Sequence, residues 1–354
     1  MRVLAKQELQ DIVTGAGLFG AGGGGSTAEG MKLVERVLEF GTGVKLATPE
    51  EISDDHWGAV IAGVGSPKAS LTRVRTHSPT TALTLLEQAR GFTSSFVVPF
   101  ELGAGNSLNP MLAAIQRDIP IIDGDPAGRA VPEIQLTTFY LGGIPIPPLA
   151  LATEDGISAV IRTKEPYDTE RVARAITSEL GGVSAIACHA MQGVDMKRHI
   201  IPGTTTLVQR IGSLIRRTQS GGGDVAVCLV RENHGYVLGK GRITTLRGET
   251  KGAFDYGIVE VEGDLRVRIL YQNENILAFR DGKLLAIVPD LICSIDSKGN
   301  PLTNADLREG MEITYIGFAA PPAFRTPEAF ALFGRILETL DYHDGFVPVE
   351  KLAK

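Results

Sequence analysis

The spacing of apolar positions changes character once along this chain. Lys6 to Leu18 has helical periodicity, and Thr27 to Phe40 repeats it with Met31, Val34, Val37 and Leu38 on one face, so two helices are predicted around a glycine loop. Short apolar runs of strand length follow at Ala59 to Val64, Ser95 to Phe100, Ile119 to Asp123 and Ile157 to Arg162. Helical stretches at Pro79 to Arg90 and Leu108 to Arg117 separate them. Alternation of this kind predicts an α/β layered domain with a mainly parallel sheet over residues 1–166. Gly143 to Ala152 is the most apolar stretch, yet Pro145, Pro147 and Pro148 make it an extended buried crossover rather than a helix.

Asp168 to Leu180 reads as a capped helix, Ser184 to Cys188 as a strand and Thr204 to Arg217 as a helix ending before Gly221-Gly222-Gly223. Residues 167–220 are thus a helical connector whose attachment stays open. Beyond it the apolar runs have strand character: Val225 to Val230, Tyr236 to Leu246, Gly257 to Val261, Leu265 to Tyr271, Asn275 to Phe279, Leu284 to Pro289 and Met311 to Gly317. Gly263-Asp264 and Asp281-Gly282 read as tight hairpin turns. Residues 167–354 are expected to form a mostly β C-terminal domain, a barrel or sandwich, closed by a helix starting at Thr326-Pro327-Glu328.

Composition narrows the function classes. A chain of 354 residues exceeds one typical core, which agrees with two domains. With 41 acidic against 35 basic side chains its net charge of -6 would repel a phosphate backbone, so nucleic acid is not an expected partner. Cys188, Cys228 and Cys293 are odd in number and far apart, which fits neither a disulfide framework nor a structural zinc site and points to a reducing compartment. Charges within Met1 to Glu8, and the lack of any run near the ~20 apolar residues of a membrane span, give the expectation of a cytoplasmic protein without membrane partners.

Candidate chemistry starts at Gly20-Ala21-Gly22-Gly23-Gly24-Gly25-Ser26. Ser26 and Glu29 have the spacing of a capping box, so Gly22, Gly23, Gly24, Gly25 and Ser26 precede a helix N-terminus whose free amides suit an anion. No strand precedes the glycines and no phosphate-loop lysine follows, so neither nucleotide fingerprint applies. The other reading is a glycine corner that lets chain elements approach closely.

A second cluster runs from Ile119 to Glu133, beyond a predicted strand end, where ligands of open α/β sheets bind. Asp123 and Asp125 would share one side if the strand continued, and paired carboxylates either hold a metal or divide into acid and base. Arg129, Glu133 and Glu101 complete the catalytic candidates, Glu101 because Val98 to Ser107 repeats the order of apolar strand, acid and glycines. The plainer readings are that Asp125 caps a turn with Pro126, that Arg129 neutralises the acids and that Glu101 binds turn amides. Asn106 joins the ligand-binding candidates, with Arg73 and Arg75 from a basic stripe that ends at His77. His189, beside Cys188 at a predicted strand end, is a metal candidate with Asp123 and Asp125, or else a packed histidine. The polar run Tyr271-Gln272-Asn273-Glu274-Asn275 either reaches over the first domain or forms a bulged turn.

Taken together, Gly20 to Ser26, Ile122 to Gln135, Ile201 to Thr204, Tyr271 to Asn275 and Val288 to Cys293 resemble the S-methyl thiohydantoin desulfurase family, related to the hydantoinase and oxoprolinase group. The likeness spans nearly the whole chain, and Asp123-Gly-Asp-Pro-Ala-Gly-Arg129 is its most specific part. It implies an N-terminal α/β domain, a C-terminal mostly β domain and hydrolysis of a methylthio-substituted five-membered cyclic amidine to a hydantoin and methanethiol. It also implies a small-molecule substrate and a bound divalent metal such as zinc. A homo-oligomer is expected. The alternative is a non-catalytic anion-binding or partner subunit of a hydantoinase-like system.

Overall fold

The computed structural model describes residues 1–65, 75–251, 254–263 and 266–353. Its first ten strands are Arg2–Leu4 (β1), Val44–Ala47 (β2), Trp57–Gly65 (β3), Ser94–Pro99 (β4), Ile121–Ile122 (β5), Gly124–Asp125 (β6), Leu149–Ala152 (β7), Ser158–Ile161 (β8), Val183–Gln192 (β9) and Ile201–Pro202 (β10). Eight of them form one sheet in the order β1-β2-β5-β4-β3-β9-β7-β8. Parallel pairing is confined to the centre, β2-β5-β4-β3, while the flanking strands pair antiparallel, so the expected parallel sheet is the middle of a mixed one. The central strands are covered on both faces, and Ala59 to Ala62 of β3 are accordingly an unbroken buried apolar run.

Nine helices are described up to residue 233: Lys6–Phe19 (α1), Thr27–Leu38 (α2), Ser78–Arg90 (α3), Asn109–Arg117 (α4), Thr138–Leu141 (α5), Pro166–Glu179 (α6), Gly193–His199 (α7), Thr204–Ser220 (α8) and Val225–Asn233 (α9). Proline in the first turn starts α3, and Gly91, with φ 73°, ends it with a left-handed cap. Helices α1 and α8 lie almost backbone to backbone. A Cβ on Gly15 would stand 1.9 Å from the Val208 carbonyl oxygen, and one on Gly212 would stand 1.8 Å from that of Asp11. The connector over 167–220 is therefore built into the first sheet's layers, through β9 beside β3 and α8 against α1.

Val225 to Val230, expected as a strand, is the start of α9. The Asp224 side chain accepts from the Val227 N–H at 3.2 Å, and of this helix only Val225 and Leu229, four apart, are buried. A capping acid and one-sided burial outweigh the β-branched composition here.

The second sheet holds Tyr236–Lys251 (β11), Phe254–Gly263 (β12), Val267–Gln272 (β13), Glu274–Arg280 (β14), Lys283–Ile287 (β15), Leu291–Asp296 (β16) and Glu312–Phe318 (β17). It is antiparallel throughout, in the order β15-β14-β13-β12-β11-β17-β16, and curls into a half-barrel that brings β16 back near β14. Asp281 and Gly282, at φ 48° and 79°, make the two-residue turn expected between β14 and β15. The Gly263-Asp264 turn reaches outside the described residues. Inside the curl Leu238, Val259, Val261, Val267 and Ile269 form their own core. Cys293, Ile316 and Phe318 instead join the core of the first sheet, where the Phe318 ring stands 5.4 Å from that of Phe19.

Candidate functional site

The glycine loop before α2, the loop after β4 and the bulge before β14 close on one cavity of about 80 Å³. Strand β4 buries Phe96, Val97 and Val98 and then turns, leaving Glu101 as the first carboxyl beyond the strand. Its Oε1 accepts from Asn106 Nδ2 at 2.6 Å and its Oε2 from the Val131 N–H at 2.7 Å. Asn106 Oδ1 accepts from the Gly63 N–H at 2.8 Å, which fixes the amide so that its NH2 group faces Glu101. Burial pushes the Glu101 carboxyl up to about 7, against the pull of these two donors.

Glu274 arrives from the other sheet. Asn273, at φ 55°, interrupts the β13–β14 hairpin, and the next carboxylate lies over Gly23, where a Cβ would meet its Oε1 at 1.8 Å. A side chain at position 23 would displace that carboxylate. The Asn275 N–H donates to Ala21 O at 2.7 Å and the Asn304 N–H to Gly22 O at 2.8 Å. The polar run is thus both a bulged turn and a reach over the first half. Burial, and after it the neighbouring Glu101, raise the Glu274 carboxyl well above the ordinary range.

Around this pair, buried Arg75 donates to Glu29 Oε1 at 3.0 Å and to Ser184 O at 3.2 Å. Arg73 lies outside the described residues, and His77 is exposed at the start of α3, 5.6 Å from the Phe40 ring. Ser26 accepts from the Glu29 N–H at 3.1 Å as the predicted cap of α2, while the Glu29 carboxylate turns to Arg75. Glu133 also lines the cavity, its carboxyl raised by burial and then by Glu170, with Gln135 donating to it. Arg174 pairs with Glu170 and donates to Pro132 O at 2.8 Å.

The cavity therefore gathers Glu101, Glu133, Gly23, Gly24, Gly25, Asn106 and Arg75 from the predicted set. Gly22 faces a neighbouring groove. Asp123 and Asp125 part company because the chain leaves β5 at Gly124 to pair β6 with β10. Asp123 accepts from the Thr206 N–H at 2.9 Å, at the N-terminus of α8. Asp125, pushed up to about 6 by burial, accepts from the Ala127 and Gly128 amides at 2.7 and 2.6 Å, the turn-capping geometry. Arg129 is fully buried and donates to Ala130 O at 2.8 Å, Pro289 O at 3.0 Å, Asp290 O at 2.9 Å and Asn275 O at 3.3 Å, stapling the loop to the second sheet.

His189 packs 5.9 Å from the Phe139 ring with Nδ1 3.1 Å from Ile144 O, and burial pushes it down to about 4, so its imidazole is neutral. Buried Cys188 beside it has its thiol pushed up by burial. Among the described residues no group of three or more His, Cys, Asp or Glu side chains is placed to hold a metal ion.

Sequence reading missed three contributors: Glu274, Glu29 and Arg174. The polar run flagged the neighbourhood of Glu274, and the cap spacing that of Glu29, but no local pattern marks Arg174.

A mixed α/β body and an antiparallel half-barrel, joined over a cavity of raised carboxyls, define the architecture. The chain belongs to the S-Me-THD-like family, whose N-terminal domain matches residues 7–163 and whose C-terminal domain matches residues 164–344. It is also similar to the crystal structure of a protein from Chromobacterium violaceum, 23% identical, with a TM-score of 0.85 over 99% of this chain and 100% of that one, which is a likeness of fold. No curated protein matches the sequence. No helix among the described residues is long and apolar enough to cross a membrane.

Proposed function

We propose that this protein hydrolyses a small cyclic amidine, converting an S-methyl thiohydantoin-type ring to the hydantoin and methanethiol. Membership of the S-Me-THD-like family supports a thiohydantoin-related function. The observation that carries the reaction is the pair Glu101 and Glu274, two buried carboxyls raised to different extents beside one cavity. Two such groups divide into base and acid.

Ionised Glu101 takes a proton from water as its oxygen attacks the carbon between the two nitrogens, and protonated Glu274 gives its proton to the imine nitrogen. Glu274 then removes the hydroxyl proton as the C–S bond breaks, and Glu101 returns its proton to methanethiolate. The carbonyl of the hydantoin forms and both carboxyls regain their starting states. Thiolate leaves far more readily than a ring nitrogen, so the plain hydantoin should be a poor substrate.

A thiol-trapping dye tests this directly: methanethiol is expected from the S-methyl compound, and none from folded protein in metal-supplemented buffer would overturn the reading. With Glu101 as base, kcat should rise with pH through about 7 and fall again as Glu274 ionises higher up. A flat profile across that range would remove Glu101 from the role.

A resident divalent metal, zinc first, is a separate proposal with no step assigned to it. Elemental analysis of protein prepared without chelators should find about one equivalent per chain, and its absence would withdraw the metal alone. A cytoplasmic location and a homo-oligomer stay with the same proposal.

A further inference from the structure

Parallel pairing of β3 with β4 aligns Ile61 with Pro99, so Gly63 and Glu101 each lie two residues beyond that pair. The carboxyl ends of neighbouring parallel strands are where open sheets hold small ligands. Arg75 is fastened there. Its Nε donates to Ser184 O at 3.2 Å, on the antiparallel neighbour β9, and its Nη1 to Glu29 Oε1 at 3.0 Å. The guanidinium lies over Gly63, where a Cβ would stand 2.5 Å from Cζ and 2.6 Å from Nη2. The same Gly63 donates its N–H to Asn106 Oδ1 at 2.8 Å, and Asn106 in turn donates to Glu101. One glycine therefore sets the arginine beside the residue that orients the base.

Arg75 is 5% exposed and lines the acidic cavity, yet its Nη2 has no hydrogen-bond partner among the described residues. That amino group keeps both of its N–H donors for a ligand. Glu29 already matches the charge of Arg75, so a neutral oxygen suits this edge better than a second buried anion.

We propose that the Nη2 edge of Arg75 holds the ring carbonyl that the substrate and its hydantoin product share, an inference that rests on the hydrolase reading for the ring and on Gly63 and Arg75 for the contact. Attack on the carbon between the two nitrogens pushes electron density onto the imine nitrogen and, where that nitrogen adjoins the carbonyl, onto the carbonyl oxygen. The contact then strengthens as the bond to water's oxygen forms. No bond to Arg75 forms or breaks, so proton transfer stays with Glu101 and Glu274.

Hydantoin and 2-imidazolidinone differ by this carbonyl and are both neutral near pH 7, so calorimetry with the full chain reads the contact without turnover. Wild type should bind hydantoin about tenfold or more tightly, the size expected when a buried donor loses its acceptor. Arg75→Gln should bring the two affinities together. A double variant, Arg75→Met with Glu29→Gln, removes both charges of the buried pair at once and gives the same reading if the single variant does not fold. Equal binding of the two rings by wild type, an undiminished preference in either folded variant, or binding of neither ring at millimolar concentration overturns the contact. Methanethiol release by wild type upholds the hydrolase reading whichever way the calorimetry falls, and its absence removes that reading while the calorimetry still decides whether Arg75 holds the carbonyl.

Discussion

Glu101→Gln is expected to lower kcat for thiol release by about 10²–10⁴-fold, the usual contribution of a positioned base, with KM little changed. An amide can accept from Asn106 or from the Val131 N–H but cannot do so through its own NH2, so one donor loses its partner. That should cost about 1–3 kcal/mol, a loss the fold can absorb. The pH dependence of stability supplies an independent reading. Because folding raises the Glu101 carboxyl from its ordinary 4.5 to about 7, the native state binds the proton more tightly than the unfolded chain. Wild type therefore loses stability as pH rises through that window. Glu101→Gln, followed by urea unfolding between pH 5 and 8, should lack that part of the slope. Full activity in the variant would show that Glu101 is not the base, and an unchanged wild-type slope would show that its carboxyl is not perturbed.

Arg129→Met should be the most damaging single change to stability, at about 3–5 kcal/mol, because it leaves buried partners uncompensated. Four carbonyls, those of Ala130, Pro289, Asp290 and Asn275, lose their donor together, and the raised carboxyls Glu101 and Glu274 lose a nearby positive charge. Urea unfolding measures the loss. An effect below about 1 kcal/mol would mean that water replaces the guanidinium without cost.

The fold class and most of the elements are legible in the residues, because helical and strand spacings are each repeated over enough positions to be read locally. The site was legible on one side only. Glu101 stands after an apolar run and before glycines, so its place at a strand end can be read from its neighbours. Glu274 cannot be placed that way: it faces the site because Asn273 adopts a left-handed backbone and because Gly23, far away in sequence, leaves room. Asp123 and Asp125 face apart for a related reason. Their spacing shares one face only on a straight strand, and Gly124 turns the chain into a different pairing. Arg129 looked like a ligand-facing charge, since nothing in its own segment announces the carbonyls of Pro289 and Asp290 that enclose it.

The boundary between the two family domains, at 163/164, falls between Glu101 and Glu274 and cuts across an apolar core that includes both Phe19 and Phe318. Each half supplies one member of the buried pair Glu101 and Glu274. The two matched domains are thermodynamically one object: burial of both carboxyls exists only while the halves are docked, and any motion that parts them rehydrates Glu101 and Glu274 and returns them toward ordinary acidity.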